Sequence, residues 1–184
     1  MEVPEAGFTE IDCYGAEPKE SDAGRLSAGE VARLAVEELR LPSPVVRLSP
    51  SVDAVQVVRV PTWLWVEGGV WRPVSETAEV PGVSVTATAR PVRVVWSLGD
   101  GGEVVCGGPG TPWDGSFPAD AASPDCGYTY VRSSVGEPGG TFTVSAAVVW
   151  DVTWEGDGQS GRVPGLVTVD EVAVTVDEIQ ALVR

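Results

Sequence analysis

The chain has 184 residues, of which 43% are hydrophobic, and carries a formal net charge of −15 from 27 acidic and 12 basic residues. This length fits one domain, or one domain with an appendage, and the hydrophobic fraction argues against a largely disordered protein. A surface this acidic repels phosphate groups, so we expect neither a nucleic-acid partner nor attachment to an anionic membrane surface.

The first 26 residues are polar, rich in acidic residues and without a hydrophobic period, which predicts an extended arm over residues 1–26. Its candidate anchors are Phe8, Ile11 and Tyr14. Neither a basic segment nor an apolar one follows Met1, as a secretory signal would require. The chain is therefore expected to be either cytoplasmic or a mature form without its export signal.

A single amphipathic helix is predicted at about residues 28–40, within a segment that ends in a Pro-rich connector and spans residues 27–44. Ser27 and Glu30 form a capping-box pattern, and Pro42 and Pro44 stop the helix. The apolar residues at helical spacing are Val31, Leu34, Ala35 and Leu39. We expect this stripe to pack on a sheet; the alternative is a helix that docks a partner.

Residues 45–184 predict an all-β sandwich, because Val, Thr and Trp dominate them and no helix alternates with the strands. The clearest pattern lies between Gly82 and Arg90, where small apolar residues alternate with Ser and Thr, as in an antiparallel strand with one wet face. The predicted strands are 45–48, 55–60, 62–66, 71–74, 82–90, 92–98, 103–106, 128–131, 141–154 and 163–176.

The cysteines indicate the compartment. Cys106 ends one predicted strand and Cys126 precedes another, so a disulfide between them would close the Gly/Pro-rich loop 107–125. Such a bond would stabilise the fold by about 3 kcal/mol on the chain-entropy model, and it would indicate an extracellular or cell-surface protein. The alternative is two buried free thiols. Cys13 is left without an assigned partner.

Three segments resemble the signatures of the PKD (polycystic kidney disease) domain, an immunoglobulin-like β-sandwich common in extracellular proteins. Trp96-Ser97-Leu98-Gly99-Asp100-Gly101 is similar to its W-x-F-G-D-G motif, Tyr128-Thr129-Tyr130 stands where the family carries H-x-Y, and Gly140-Thr141-Phe142-Thr143-Val144 is similar to its G-x-Y-x-V strand. The resemblance covers about residues 80–155.

The motif has a structural rationale at each of its residues. We expect Trp96 to pack between the sheets, Gly99 and Gly101 to supply positive φ, and Asp100 to accept from nearby backbone N–H groups. Tyr130 is expected to place its hydroxyl on a backbone group, as in the tyrosine corner of related sandwiches. Because Tyr128 replaces the family's His, no role of that His is carried over.

The wider sequence from Val60 to Ala89 is similar to uncharacterised actinobacterial exported proteins, some of which are labelled "ATP/GTP-binding protein". A P-loop requires G-x-x-x-x-G-K-S/T, and the only lysine of the chain is Lys19, in a different setting. The sequence therefore gives no support to nucleotide binding.

Catalytic chemistry is restricted because the chain contains no histidine, which is the commonest general base and metal ligand. Paired carboxylates are the remaining arrangement, and they make a carboxylate-dependent hydrolase a remote alternative. Their candidates are Asp151 with Glu155 and Asp157, Asp170 with Glu171, and Asp177 with Glu178. Calcium is a minor alternative, with candidate ligands Asp100, Asp114, Asp120 and Asp125. We expect no cofactor and no catalytic residues.

Seven tryptophans are many for this length, and four of them form a candidate binding surface: Trp63, Trp65, Trp71 and Trp113. The alternative is that they fill space between sheet, helix and arm. The sequence thus predicts a non-catalytic secreted or cell-envelope module that binds a protein or an envelope component. The second hypothesis is a module that binds polysaccharide or cell wall through exposed Trp residues.

Overall fold

The computed structural model describes residues 25–178. The predicted arm lies outside the described residues except for Arg25 and Leu26, and so do its candidate anchors and Cys13. The described elements are helix α1 (Ala28–Glu38) and strands β1 (Val46–Ser49), β2 (Gln56–Val57), β3 (Pro61–Val66), β4 (Val74–Val80), β5 (Val83–Ser97), β6 (Glu103–Cys106), β7 (Gly127–Thr129), β8 (Phe142–Gly156), β9 (Gln159–Val174) and β10 (Val176–Asp177). The predicted all-β fold with one short helix is confirmed.

A long antiparallel sheet forms one layer, in the order β4-β5-β8-β9. Strand β6 joins the edge of β5 that β4 also occupies: β4 pairs with residues 83–89 and β6 with residues 94–97. A small antiparallel sheet has the order β1-β3-β7, and β2 pairs in parallel with β10. The helix and the small sheet share one continuous core with the long sheet.

Helix α1 covers the half of the long sheet built from β4 and β5. The capping box is present, with Ser27 and Glu30 each accepting from the other's backbone N–H. The buried stripe consists of Ala28, Val31, Ala32 and Ala35, whereas Leu34 is exposed. The expectation for Leu34 was wrong because a helix turns about 100° per residue, which puts this side chain about 110° from the centre of that stripe.

Strand β5 is continuous where the sequence predicted two strands. Pro91 pairs with Trp150 and Arg93 with Val149, so Val92 is an extra residue that forms a β-bulge. On the core side of β5 and β8, small residues meet large ones: Ala87 and Ala89 lie below the helix, and Trp96, Phe142 and Trp150 fill the rest. Because of the bulge, alternate side chains of β5 face the core both before and after Pro91.

Two sequence predictions differ from the structure near the ends of the small sheet. Of the predicted strand 55–60, only Gln56 and Val57 are in a strand, because the chain turns after Val57: Arg59 has φ +66° and the N–H of Val60 donates to Val57 O at 3.1 Å. Within this short strand, Gln56 is fully buried. Its amide nitrogen donates to the carbonyls of Pro50, Ser51 and Ala54, and its oxygen accepts from Thr62 at 3.1 Å. The predicted strand 71–74 is displaced to Val74–Val80, where Ser, Thr and Glu occupy most positions and hide the pattern.

Candidate interaction surfaces

The disulfide expected between Cys106 and Cys126 is present, with a Cα–Cα distance of 5.7 Å. The loop that it closes folds back over β3. The backbone N–H of Leu64 donates to Cys126 O at 3.0 Å, and that of Val66 donates to Pro109 O at 2.8 Å. Gly110, at φ +86°, lies so close to the backbone of β3 that a Cβ there would collide with Leu64 O and Trp65 Cα. The disulfide therefore holds the loop against the small sheet.

This loop buries the first of the four tryptophans proposed as a binding surface. The Trp63 indole N–H donates to Ala121 O at 2.7 Å, and its ring lies 4.8 Å from the ring of Phe117. Trp63 is only 2% exposed, so the interpretation of Trp63 as a surface residue is wrong. Its side chain lies on the face of β3 that the loop covers, against Phe117 and Ala121.

The other three tryptophans differ in their exposure. Trp65 is half-buried beside Gly110, and Trp71 is half-buried against the core. Trp113 lies in the disulfide-closed loop and is 36% exposed, as is Phe117 at 39%. The exposed aromatic surface of this region is thus formed by Trp113 and Phe117, and the sequence interpretation did not include Phe117.

The residues that resemble the PKD signature form a connected cluster after β5. Gly99 has φ +81° and Gly101 has φ +96°. Asp100 accepts from Gly102 N–H at 2.9 Å through Oδ1 and from the Tyr128 hydroxyl at 2.9 Å through Oδ2. The Tyr130 hydroxyl donates to Leu98 O at 3.3 Å. Each contact lies within the protein, so the cluster holds the turn between β5 and β6 in place.

The electrostatics of the two tyrosines follow from the same contacts. Burial raises the pKa of Tyr128, and the hydrogen bond and negative charge of Asp100 raise it further. Burial also raises the pKa of Tyr130, again with a contribution from the charge of Asp100. The rings of Tyr130 and Phe142 stack with centroids 5.6 Å apart. Both hydroxyls are therefore kept protonated as donors well into the alkaline range.

Two of the candidate carboxylate pairs, Asp151 with Glu155 and Asp170 with Glu171, are separated by the geometry of the sheet. Asp151 and Glu155 lie four residues apart on one strand, so their Cα atoms are about 14 Å apart. That spacing exceeds the roughly 5–9.5 Å between the carboxyl groups of glycosidase pairs. Asp151 instead pairs with Arg162 at 3.2 Å. Asp170 faces the core side and accepts from Val46 N–H at 3.5 Å, whereas its neighbour Glu171 faces outward.

Two of the four candidate calcium ligands, Asp114 and Asp125, have hydrogen-bond partners within the disulfide-closed loop. Asp114 accepts from Ser116, which lowers the pKa of its carboxyl through those hydrogen bonds. Asp125 accepts from the backbone N–H and the hydroxyl of Thr111 at 3.0 and 2.9 Å. Within residues 25–178, no group of three or more acidic or cysteine side chains is placed to hold a metal ion.

The face of the long sheet that points away from the core is a second surface, which we call the open face. None of the elements in residues 25–178 covers it. Near the turn between β4 and β5 this face is polar, with hydroxyl pairs between Ser75 and Thr88 at 2.9 Å and between Thr77 and Thr86 at 2.8 Å. This half has the composition expected of a solvated antiparallel face.

The other half of the open face carries an unbroken strip of aliphatic side chains across four strands. This strip, the apolar band, consists of Val95, Val105, Ala147, Val149, Val167 and Val169. The strand register puts Val105, Val95, Ala147 and Val169 in one row and Val149 and Val167 in the next. The outermost valines are about half exposed, at 57% for Val105, 53% for Val167 and 49% for Val169. Single exposed valines are ordinary, but contiguous ones indicate a contact surface.

Charged residues of opposite sign border the apolar band. On one side, Glu103 and Glu171 lie at the ends of a row that Ser97 and Ser145 complete. On the other side, Arg93 lies at the end of the row of Val149 and Val167, and the next row holds Arg90 paired with Asp151. The Asp151 carboxylate in turn lies 3.2 Å from Arg162. The band is thus apolar in the middle and acidic along one border, and the other border is basic in sum, with three arginines and one aspartate.

The sequence carries a signal for this surface that its interpretation missed. In β8 the outward positions Ala147 and Val149 are apolar, so both faces of this strand are apolar at this level. In β9 the outward Val167 and Val169 alternate with the inward Thr168 and Asp170, so the apolar side of this strand faces outward. Strands that are apolar on both faces are typical of sheets covered on both sides.

No protein-family model, no curated protein and no solved structure matches this chain. In the part of the chain that the structure describes, no helix has the length and apolar character needed to span a bilayer. The geometry of the two surfaces, the open face and the Trp113 loop, is therefore the basis for a functional interpretation.

Proposed function

We propose that this protein is a non-catalytic, secreted or cell-envelope module that binds another protein through its open face. The observation that carries the proposal is the apolar band, which crosses four strands without interruption and has half-exposed valines at both ends. Apolar residues in the middle and charges at the border are the usual anatomy of a protein–protein interface.

The proposed location rests on the disulfide between Cys106 and Cys126, because such bonds persist in oxidising compartments. The PKD-like resemblance supports the same location, since that family is common in extracellular proteins. Its signature residues here make contacts inside the protein, at Asp100 and Tyr130 among others. They support the fold and leave the open face as the surface that contacts a partner.

A photo-crosslinking residue tests this proposal at single positions. Placed at Val105, in the apolar band, it should form an adduct with a protein when the module is added to the envelope and secreted fractions of its source cells. Placed at Val131, which is even more exposed but lies outside the long sheet, it should form none. Adducts of equal yield at both positions, or none at Val105, would contradict the proposal.

A second candidate function is binding of polysaccharide or cell wall, and the exposed Trp113 and Phe117 favour it. Aromatic rings on a loop that a disulfide holds in place provide a rigid contact surface for a sugar ring. In a pull-down with insoluble polysaccharide and peptidoglycan, the wild type should be retained and Trp113→Ala should be lost. Val131→Ala serves as the control. Retention of the Trp113 variant would exclude this site.

A further inference from the structure

We propose that the occupant of the open face is a second copy of this chain, joined by a two-fold axis that runs parallel to the apolar band. This inference rests on the proposed function, since it names the protein that the open face binds. In the resulting dimer, two sheets pack face to face with their strands antiparallel, as in the aligned packing of β-sandwiches.

The arrangement of charges selects this axis. The acidic border of Glu103 and Glu171 lies on one side of the apolar band. On the other side the positive charges of Arg90, Arg93 and Arg162 outnumber the single negative charge of Asp151, so this border is basic in sum. Rotation about an axis parallel to the band brings the acidic border of each copy opposite the basic border of the other. Rotation about an axis along the strands would place acid against acid. A self-complementary surface of this kind is what a two-fold interface requires.

The side chains of β8 and β9 in the band also match under this axis, whereas Val95 of β5 comes opposite Arg93 of the second copy. The axis brings Ala147 opposite Val149 of the second copy and Val169 opposite Val167 of the second copy. Each of these four residues projects from an antiparallel strand of the long sheet, so they meet as two flat rows. Their small and similar size allows the sheets to approach to about the 10 Å typical of packed sheets.

The size of the contact predicts its strength. The contact spans four neighbouring strands and four rows of side chains, from the row of Glu171 to the row of Asp151. At the usual spacings between strands and between residues, it covers about 500 Å² of each copy. The total of about 1,000 Å² is at the lower limit for a specific interface. We therefore expect a reversible dimer with a dissociation constant in the micromolar range. The net charge of −15 per chain adds repulsion and should make association stronger at moderate salt.

Sedimentation velocity of the full chain, up to about 200 µM, tests the dimer directly. All proteins should carry Cys13→Ser, because an intermolecular disulfide would join two chains through any surface. Val169→Glu, which puts a charge into the apolar band, should weaken association at least tenfold. Val131→Glu is the matched control, since it adds the same charge at an exposed valine outside the long sheet and should leave association unchanged.

A charge exchange tests the orientation of the two copies. Arg90→Glu alone should weaken the dimer severalfold, and the double variant Arg90→Glu/Glu103→Arg should restore it, because each border then meets its complement again. Far-UV circular dichroism of every variant verifies that the sheet is intact. Failure of the double variant to recover association would overturn the proposed axis.

A chain that stays monomeric at the highest concentration, or a dimer that Val169→Glu leaves intact, overturns the inference. The crosslinking experiment above distinguishes this result from failure of the proposed function. An adduct between Val105 and a different protein keeps the proposed function and rejects self-association. If the apolar band is shielded from solvent in the monomer and becomes exposed when residues 1–24 are removed, its occupant is the chain's own N-terminal segment. That result also rejects self-association.

Discussion

The hydroxyl of Tyr128 donates to the carboxylate of Asp100 across 28 residues of sequence, at 2.9 Å. This bond joins the turn after β5 to the start of β7, and so connects the long sheet to the small one. The other carboxylate oxygen is occupied by Gly102 N–H. Asp100 is therefore a junction between the two layers as well as a turn residue.

We expect Tyr128→Phe to lower the free energy of unfolding by about 1 kcal/mol, because it removes a hydrogen bond to a charged acceptor. A double-mutant cycle with Asp100→Ala should give a coupling energy of about 0.5–1 kcal/mol. Urea unfolding of the four proteins provides the measurement. Strictly additive losses would show that the two side chains do not stabilise each other.

The raised pKa of Tyr130 predicts a loss of stability in alkali. The folded protein keeps the phenol protonated above its ordinary pKa of 10.0, so its contribution is complete below pH 10 and is lost as the pH rises toward the folded pKa. Above pH 10 the free energy of unfolding of the wild type should fall more steeply than that of Tyr130→Phe, by up to about 1.4 kcal/mol per pH unit. Parallel pH profiles would contradict this origin of the loss.

A comparison of two glycines separates backbone strain from crowding. Gly99 and Gly101 both have positive φ, but a Cβ at Gly99 would lie 2.7 Å from Phe142 Cβ and 2.8 Å from Thr143 O, whereas one at Gly101 meets nothing within 4 Å. Gly101→Ala should cost about 1–2 kcal/mol through the positive φ alone. Gly99→Ala should cost about 1–3 kcal/mol more through overpacking. Equal losses of stability for the two variants in thermal unfolding would show that β8 can move away from a side chain at Gly99.

Two buried tryptophans differ in one hydrogen bond. Trp150 donates its indole N–H to the Thr168 hydroxyl at 3.0 Å, while the buried N–H of Trp96 has no partner among residues 25–178. Replacement by Phe removes similar volume at both sites, so the difference between the variants reports the polar atom. We expect Trp150→Phe to be more destabilising than Trp96→Phe by about 1 kcal/mol. Guanidinium unfolding followed by circular dichroism measures this difference, and the reverse order would contradict it.

The disulfide should stabilise the fold through the loop that it closes. Replacement of Cys106 and Cys126 by Ala should lower the free energy of unfolding by about 3 kcal/mol, on the chain-entropy model for a loop of this length. The unreduced wild type should resist alkylation at these two positions until a reductant is added. An unchanged denaturation midpoint in the double variant would show that the contacts of Gly110 and Ala121 with β3 hold the loop without the bond.

Much of the fold could be predicted because local patterns agree with it. The capping box at Ser27, the alternation from Val83 to Ala89 and the cysteines that flank the loop each appear in the structure where the sequence placed them. Strand β4 escaped prediction because one of its faces is solvated and its inward residues are few. Gln56 escaped because its burial depends on carbonyl groups that only the folded loop brings together.

The candidate surface was harder to predict than the fold for a physical reason. The exposure of Trp63 depends on where the loop 107–125 lies, and no periodicity in that loop reports its position. The apolar band depends on register between strands that are far apart in sequence, such as Val95 with Ala147. Single-strand patterns give the face of a residue and leave its neighbours on the next strand unknown.

The bulge at Val92 also determines which sequence changes this strand can accept. Removing one residue from a strand usually turns every later side chain to the opposite face. In β5, Pro91 and Arg93 already pair with consecutive residues of β8, so loss of Val92 would leave Val94 and Trp96 facing the core. Among the residues of β5, Val92 is thus the one at which an in-frame deletion should be tolerated, and relatives that differ in length within this strand should differ there.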